Sequence, residues 1–264
     1  GLHGESRESE IPLLLEKLGI PYTGSGPDTL IHCLNKAKTK EILKKKGVPT
    51  PPWFCSDSPL SVLPSPLSYP LMVKPLFEGS SKGIKDNSLV YNDRELLART
   101  TEVVNTYHQP YIVEEFLTGR EFTAAMIGNG ETLEILPVVE INFEELPSGA
   151  KPIYSYEAKW VWDTVEKPLH IFTCPAKTDE YLQKEILSTV KNAFIATGCM
   201  DWARIDLRQD KNGRINIIEI NPLPGIIPDP DANSCFPKAA RAAGLKYGDI
   251  VKKVLDAAFA RLGV

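Results

Sequence analysis

Asn212-Gly213, set between the alternating runs 204–209 and 214–221, constrains the fold of this chain more than any other feature. An Asn-Gly pair between alternating hydrophobic runs is the strongest short-range hairpin signal, because both residues tolerate positive φ. Read as a two-residue turn, it places Asp206 opposite Glu219 and Arg204 opposite Asn221. All four side chains then share one face. Alternation sends Ile205, Leu207, Ile218 and Ile220 to the other face, which is uniformly apolar and suits a core.

That register sets two carboxylates against each other across the strand pair, with β-carbons about 5 Å apart, an arrangement that is repulsive unless something offsets it. A hard divalent cation does so. Asp, Glu and Asn supply oxygen ligands in the small number that Mg²⁺ takes when nucleotide phosphates complete its shell. Arg204 adds a fixed positive fork for a phosphoryl oxygen or a developing oxyanion. A surface hairpin with scattered charges is the alternative, and the segregation of every ligand-type group to one face weighs against it.

Arg204-x-Asp206 followed by Glu219-x-Asn221-x-x-Pro224-Gly225 resembles the metal-binding signature of the ATP-grasp ligases, in particular the D-alanine–D-alanine ligase group. The resemblance runs from about Gly19 to Ala243. It implies an α+β fold of the ATP-grasp type, two α+β subdomains gripping ATP, preceded by a remnant of an α/β N-terminal domain. The expected divisions are 1–35 for the remnant, 36–118 for the central subdomain and 119–264 for the C-terminal subdomain with the metal site. Gly1 rather than Met begins the sequence, and the family's upstream glycine-rich strand is missing, so the chain is expected to be a truncated piece. His3-Gly4 and Arg7-Glu8 resemble the end of that upstream region.

Composition narrows the class. A net charge of −4 gives no reason to expect nucleic acid as partner. Cysteines at 33, 55, 174, 199 and 235 form no CxxC pair, which argues against a disulfide framework or structural zinc and fits a reducing cytoplasm. No apolar run approaches the roughly 20 residues of a membrane span.

Along the chain, a short helix is expected over 9–19 with Ser9 as its cap, and a lysine-rich helix over 30–46 stopped by Gly47. Most of Lys38, Lys40, Lys44, Lys45 and Lys46 are expected on a solvated face. The proline-rich stretch 49–70 reads as a connector with one strand near Trp53-Phe54. A buried strand then ends at Lys74, whose ammonium must find an anion or water. After it, Glu78-Gly-Ser-Ser-Lys-Gly83 is a small-residue loop whose amides can approach phosphate, without the spacing of a Walker A loop. Asn92 with Glu95 makes a capping box for a helix to about Tyr107. Strand 111–117, the hairpin 121–141, an irregular segment 142–176, an amphipathic helix 178–197 and a helical tail 238–262 complete the reading.

The resemblance assigns roles residue by residue. Lys36, Lys74, Ser80, Ser81 and Lys159 face the nucleotide phosphates. Glu114, Glu115, Phe116 and Leu117 belong to the linker under the adenine, and Glu121 holds the ribose hydroxyls. Arg204, Ser80, Lys159 and Ser234 form the catalytic set, with Ser234 on a substrate carboxylate; Asp206, Glu219 and Asn221 hold the metal. ATP and Mg²⁺ (or Mn²⁺) are the implied cofactors, amino acids the implied small-molecule substrates, a dipeptide for peptidoglycan synthesis the product, and a homodimer the usual assembly. Trp160 stands where the group usually has Tyr, which leaves open a different carboxylate and amine pair, and a nucleotide-binding module without turnover remains the third reading. Cys235 is expected to pack, since no activating histidine is evident.

Overall fold

The computed structural model describes residues 6–63, 66–164 and 167–263; His3-Gly4 lies outside them. In chain order the elements are α1 (Glu10–Lys17), α2 (Pro27–Leu34), α3 (Lys36–Lys45), β1 (Trp53–Ser56), β2 (Leu71–Pro75), β3 (Leu89–Val90), α4 (Asp93–Tyr107) and β4 (Tyr111–Glu115). There follow β5 (Glu121–Ile127), β6 (Glu134–Ile135), β7 (Val139–Ile141), β8 (Phe172–Thr173), α5 (Glu180–Thr197), β9 (Trp202–Gln209), β10 (Ile215–Asn221), α6 (Cys235–Ala242) and α7 (Tyr247–Leu262). They build two antiparallel sheets. The smaller runs β1-β4-β2-β3 and the larger β10-β9-β5-β7-β8, with β6 paired to β5.

Strand alternation explains the layers. In the smaller sheet Leu71, Val73, Tyr111 and Val113 pack against α4 through Leu96 and Val103, which leaves Met72, Lys74 and Glu114 on the opposite face. In the larger sheet Phe122, Ala124, Met126, Ile205, Leu207, Ile217 and Ile220 are buried with Ile186, Val190 and Phe194 of α5. The reverse face changes character along its length. Ala125 and Ile127 are covered by Phe236 and Ala240 of α6 and by Ile250 and Val254 of α7, whereas Glu121, Thr123, Arg204, Asp206 and Arg208 on the same face line a cavity.

Four local expectations are corrected. The helix expected over 30–46 is two helices: Asn35 is extended, with ψ 100°, and its side chain caps α3 by accepting from Lys38 N at 3.0 Å. The tail also breaks, between α6 and α7, where Gly244 takes φ +79°. Ser9 does not cap α1, because its backbone is already helical and its hydroxyl donates to Ser6 O. Lys40, expected in solvent, is 2% exposed and reaches inward to Glu114 at 2.8 Å. At α4 Asn92 caps as expected, accepting from Glu95 N at 3.0 Å, while the Glu95 carboxylate returns to Tyr91 N at 2.9 Å instead of Asn92 N.

Candidate active site

The hairpin reaches the expected pairing by a different route. Asp206 faces Glu219 and Arg204 faces Asn221, yet nearer the tip Leu207 pairs with Ile217 and Gln209 with Ile215. The loop is therefore three residues, Lys211-Asn212-Gly213, with Gly213 at φ +81° in the left-handed position that ends this turn. A bulge at Ile218 then inserts one residue into β10 and restores the register. Ile218 accordingly turns to the cavity, and Ile217 takes the core position expected for it.

The two acids are not left to repel. Arg204 holds Asp206 with two parallel bonds, Nε to Oδ1 at 2.9 Å and Nη2 to Oδ2 at 2.8 Å, and Thr123 and Asn221 also donate to that carboxylate. Burial works against charge at both groups; even so, the pairing lowers the Asp206 pKa and raises that of Arg204. Glu219 lies 3.5 Å from the Lys36 ammonium. Each carboxylate thus has a chain cation beside it. The donor set still fits Mg²⁺ with phosphate ligands, which needs only one or two carboxylates; Asn221 must turn its amide to present oxygen, since its nitrogen now faces Asp206. Among the described residues no group of three or more His, Cys, Asp or Glu side chains could hold a metal by itself.

Across the cavity stands the smaller sheet. Lys74 at the end of β2 finds its anion in Glu114, whose other oxygen accepts from Lys40. Burial raises and the two ammonium groups lower the Glu114 pKa; the lysines win and hold it well below the carboxylate range. Burial drags the Lys40 pKa down, and the Glu114 carboxylate opposes that shift. Glu114 thus turns its carboxylate inward, and that of Glu115 is spent on Ser68 N and Oγ. Lys36 donates to Glu78 O at the start of the small-residue loop.

Two consecutive non-glycine residues of that loop, Ser80 and Ser81, have φ +54° and +59°. Such a conformation is strained and persists only when neighbours hold it. Here they do. Arg99 donates to Gly83 O, Ser81 Oγ donates to Tyr154 O at 3.1 Å, and Trp160 Nε1 donates to Ser80 O at 3.1 Å. The irregular segment thereby crosses the cavity mouth and presents Lys159 inside, its ammonium 5.4 Å from the Trp160 ring centroid. Burial, then Arg204, lowers the Lys159 pKa.

At the far end Ser234 Oγ accepts from Ile227 N at 3.2 Å and contacts Gly225 O at 3.4 Å, so it ties the loop after β10. The Cys235 thiol is pushed up to about 11 by burial, which keeps it protonated and suits packing. Asp163 joins three pieces there, accepting from Tyr154 OH at 2.8 Å, Asn233 Nδ2 at 2.6 Å and Leu169 N at 2.9 Å.

Every expected site residue except Lys36 lines this one cavity of about 460 Å³, and Lys36 stands directly behind Glu219. Arg208, Thr123 and Glu8 are polar lining residues to which the sequence assigned no site role. Arg208 continues the alternation of 204 and 206; it pairs with Glu121 at 2.9 Å and stacks on Phe116 with 4.5 Å to the ring centroid. Glu121 is therefore no solvated acid: burial raises its pKa although Arg208 opposes the shift. Thr123 lies opposite Asp206 on β5, legible only once β5 is paired to β9. Glu8, whose pKa burial raises, was noted only within Arg7-Glu8, as part of the resemblance to the upstream region.

A family model described as "D-ala D-ala ligase C-terminus" matches residues 42–256. An uncharacterized protein, y4sG, of Sinorhizobium fredii is 36% identical over 99% of this chain and 73% of its own length. The D-alanine–D-alanine ligase of Pelotomaculum thermopropionicum is 34% identical over the whole of this chain and 80% of its own. Among solved structures, a D-alanine–D-alanine ligase from Bacillus anthracis superposes with a TM-score of 0.74 at 26% identity, covering 98% of this chain and 78% of that one. A structure of the Bacillus anthracis enzyme complexed with ATP gives 0.73 at 24% identity, over 98% and 77%.

Proposed function

Because the chain belongs to the D-alanine–D-alanine ligase family, with its ATP-grasp α+β fold, we propose that it is an ATP-dependent, ADP-forming ligase that joins two D-alanine molecules through an acylphosphate. One observation carries this reading: Arg204, Asp206, Glu219 and Asn221 converge on the cavity that Lys74, Lys159 and the strained serine loop close from the other side. Acids thus face cations across a space of nucleotide size.

The carboxylate of the first amino acid attacks the γ-phosphorus of ATP, and ADP leaves. The amine of the second then attacks the acyl carbon, phosphate departs, and the amine proton passes to solvent. Lys74 and Lys159 supply positive charge along the phosphates; burial and Arg204 lower the Lys159 pKa, and an arriving phosphate opposes that shift. Ser80 and Ser81 cover the phosphates, with Lys36 at the base of the loop. Phe116, Leu117 and the stacked Arg208 wall the base, and Glu121 faces the ribose. Arg204 steadies the oxyanion of the tetrahedral intermediate, while Ser234 offers its hydroxyl to the second carboxylate. Asp206, Glu219 and Asn221 would hold Mg²⁺, which when bound would supply neutralising charge for phosphoryl transfer.

The test is to give the purified protein ATP, Mg²⁺ and D-alanine, and to follow ADP and the dipeptide by mass spectrometry. ADP and D-alanyl-D-alanine formed in equal amounts support the reading. Nucleotide binding without ADP formation from any amino acid pair sinks it. A different amine partner is favoured by one observation, Trp160, whose only polar atom is already committed to Ser80 O; ADP formation that requires a second, different amino acid selects it.

A further inference from the structure

Lys40 is a charged side chain close to the cavity that neither lines it nor reaches solvent, being 2% exposed. Its ammonium sits between two partners, 2.8 Å from Glu114 Oε2 and 2.8 Å from Thr50 Oγ1. Each partner leads somewhere. Glu114 gives its second oxygen to Lys74, which faces the cavity. Thr50 donates to Ile217 O at 2.9 Å, and Ile217 N donates to Pro49 O at 2.8 Å. These Ile217 groups belong to the edge strand immediately before the bulge that turns Glu219 toward the cavity. The same short segment reaches the smaller sheet, where Pro52 O accepts from Glu115 N at 3.1 Å. One buried ammonium therefore stands at the join between the two sheets.

Burying a cation is costly unless it is paired and fully hydrogen-bonded. A methionine would fill this space without that cost if packing were all that was needed. What an ammonium adds is a division of the Glu114 charge. With Lys40 on one oxygen, Lys74 is held by the other alone, and its remaining N–H groups can point into the cavity. Without Lys40, the whole carboxylate charge falls on Lys74 and draws it back from any anion there.

We propose that Lys40 is a positioning residue that acts through Glu114 to aim the Lys74 ammonium at bound nucleotide, and through Thr50 to fix that ammonium relative to the Glu219 bulge. This inference rests on the ATP reading above. Its test is calorimetric titration with ADP, which needs no amino acid, on the wild type and on K40M, K40R, K74M and the K40M/K74M pair, with melting temperatures taken alongside. K40M weakens ADP about tenfold, K40R stays within about threefold of wild type, and the double variant binds no more weakly than K74M alone, because Lys40 works through Lys74. K40M binding like wild type, or losses that multiply in the double variant, overturns the proposal. If K40M does not fold, K40Q keeps a polar head for Thr50, removes the charge, and is read in the same way. A wild type that binds no ADP overturns the ATP reading itself, before any variant is compared.

Discussion

Asp201 and Asp206 lie five positions apart and are held by the same kind of grip. Each takes two parallel bonds from an arginine, Arg261 for Asp201 and Arg204 for Asp206, and each accepts two further bonds. Asp201 receives them from Gly24 N and Asn129 Nδ2, both at 2.8 Å, and Asp206 from Thr123 and Asn221. The difference is in where the donors come from. Those of Asp201 belong to three segments far apart in sequence, and the side chain is 0% exposed; those of Asp206 come from one sheet face, and the side chain is 17% exposed on a cavity with Glu219 opposite. A satisfied carboxylate is thus no mark of function by itself. One stitches the chain together, and the other faces a cavity.

Removing the arginine from each pair should break the symmetry most. Arg204→Met should lower turnover about 10²- to 10³-fold, or about 3–4 kcal/mol of transition-state stabilisation, with a melting temperature close to wild type; steady-state kinetics and a thermal melt measure both. Arg261→Met should do the reverse. It leaves a buried carboxylate unpaired and should cost about 3 kcal/mol of stability by urea titration, with turnover per folded molecule unchanged. If both variants lose activity and stability together, the contrast between the two pairs is wrong.

Acid sharpens the comparison further. Burial raises the Asp201 pKa, but Arg261, Asn129 and the Gly24 amide outweigh it and hold the folded value below the ordinary one. A depressed folded pKa contributes stability that is complete above about pH 4, the unfolded value, and is lost as pH falls through the folded value. Urea midpoints should therefore fall below pH 4 in the wild type and fall less in Asp201→Asn, which starts lower. Smallest of all, Thr123→Val removes one of four donors to Asp206. It should cost about 1 kcal/mol, which is less than about tenfold in turnover, and unfolding should barely change.

The same pair shows what could be read from the chain alone. Asp206 was legible because its partners obey strand alternation within one hairpin, so spacing carried the information. Asp201 was not, since Gly24, Asn129 and Arg261 are brought to it only by the packing of distant segments. Lys40 failed for the same reason: a lysine-rich helix reads as a solvated face until β4 places Glu114 beneath it. The resemblance named residues that local pattern could not, among them Ser234, which lines the cavity, and Lys36, which stands behind Glu219. Neither source revealed the break at Asn35, where a side-chain cap overrides helical continuity.

The hairpin's longer loop and its bulge offset one another. One shifts the strands by a residue, and the other shifts them back before the functional positions are reached. What locks those positions is the packing of Ile205 and Ile220 under α5, beyond the bulge. The tip is therefore uncoupled from the chemistry: related chains can lengthen or shorten it, provided β10 gains or loses its extra residue in step, and still deliver the same acids to the same place.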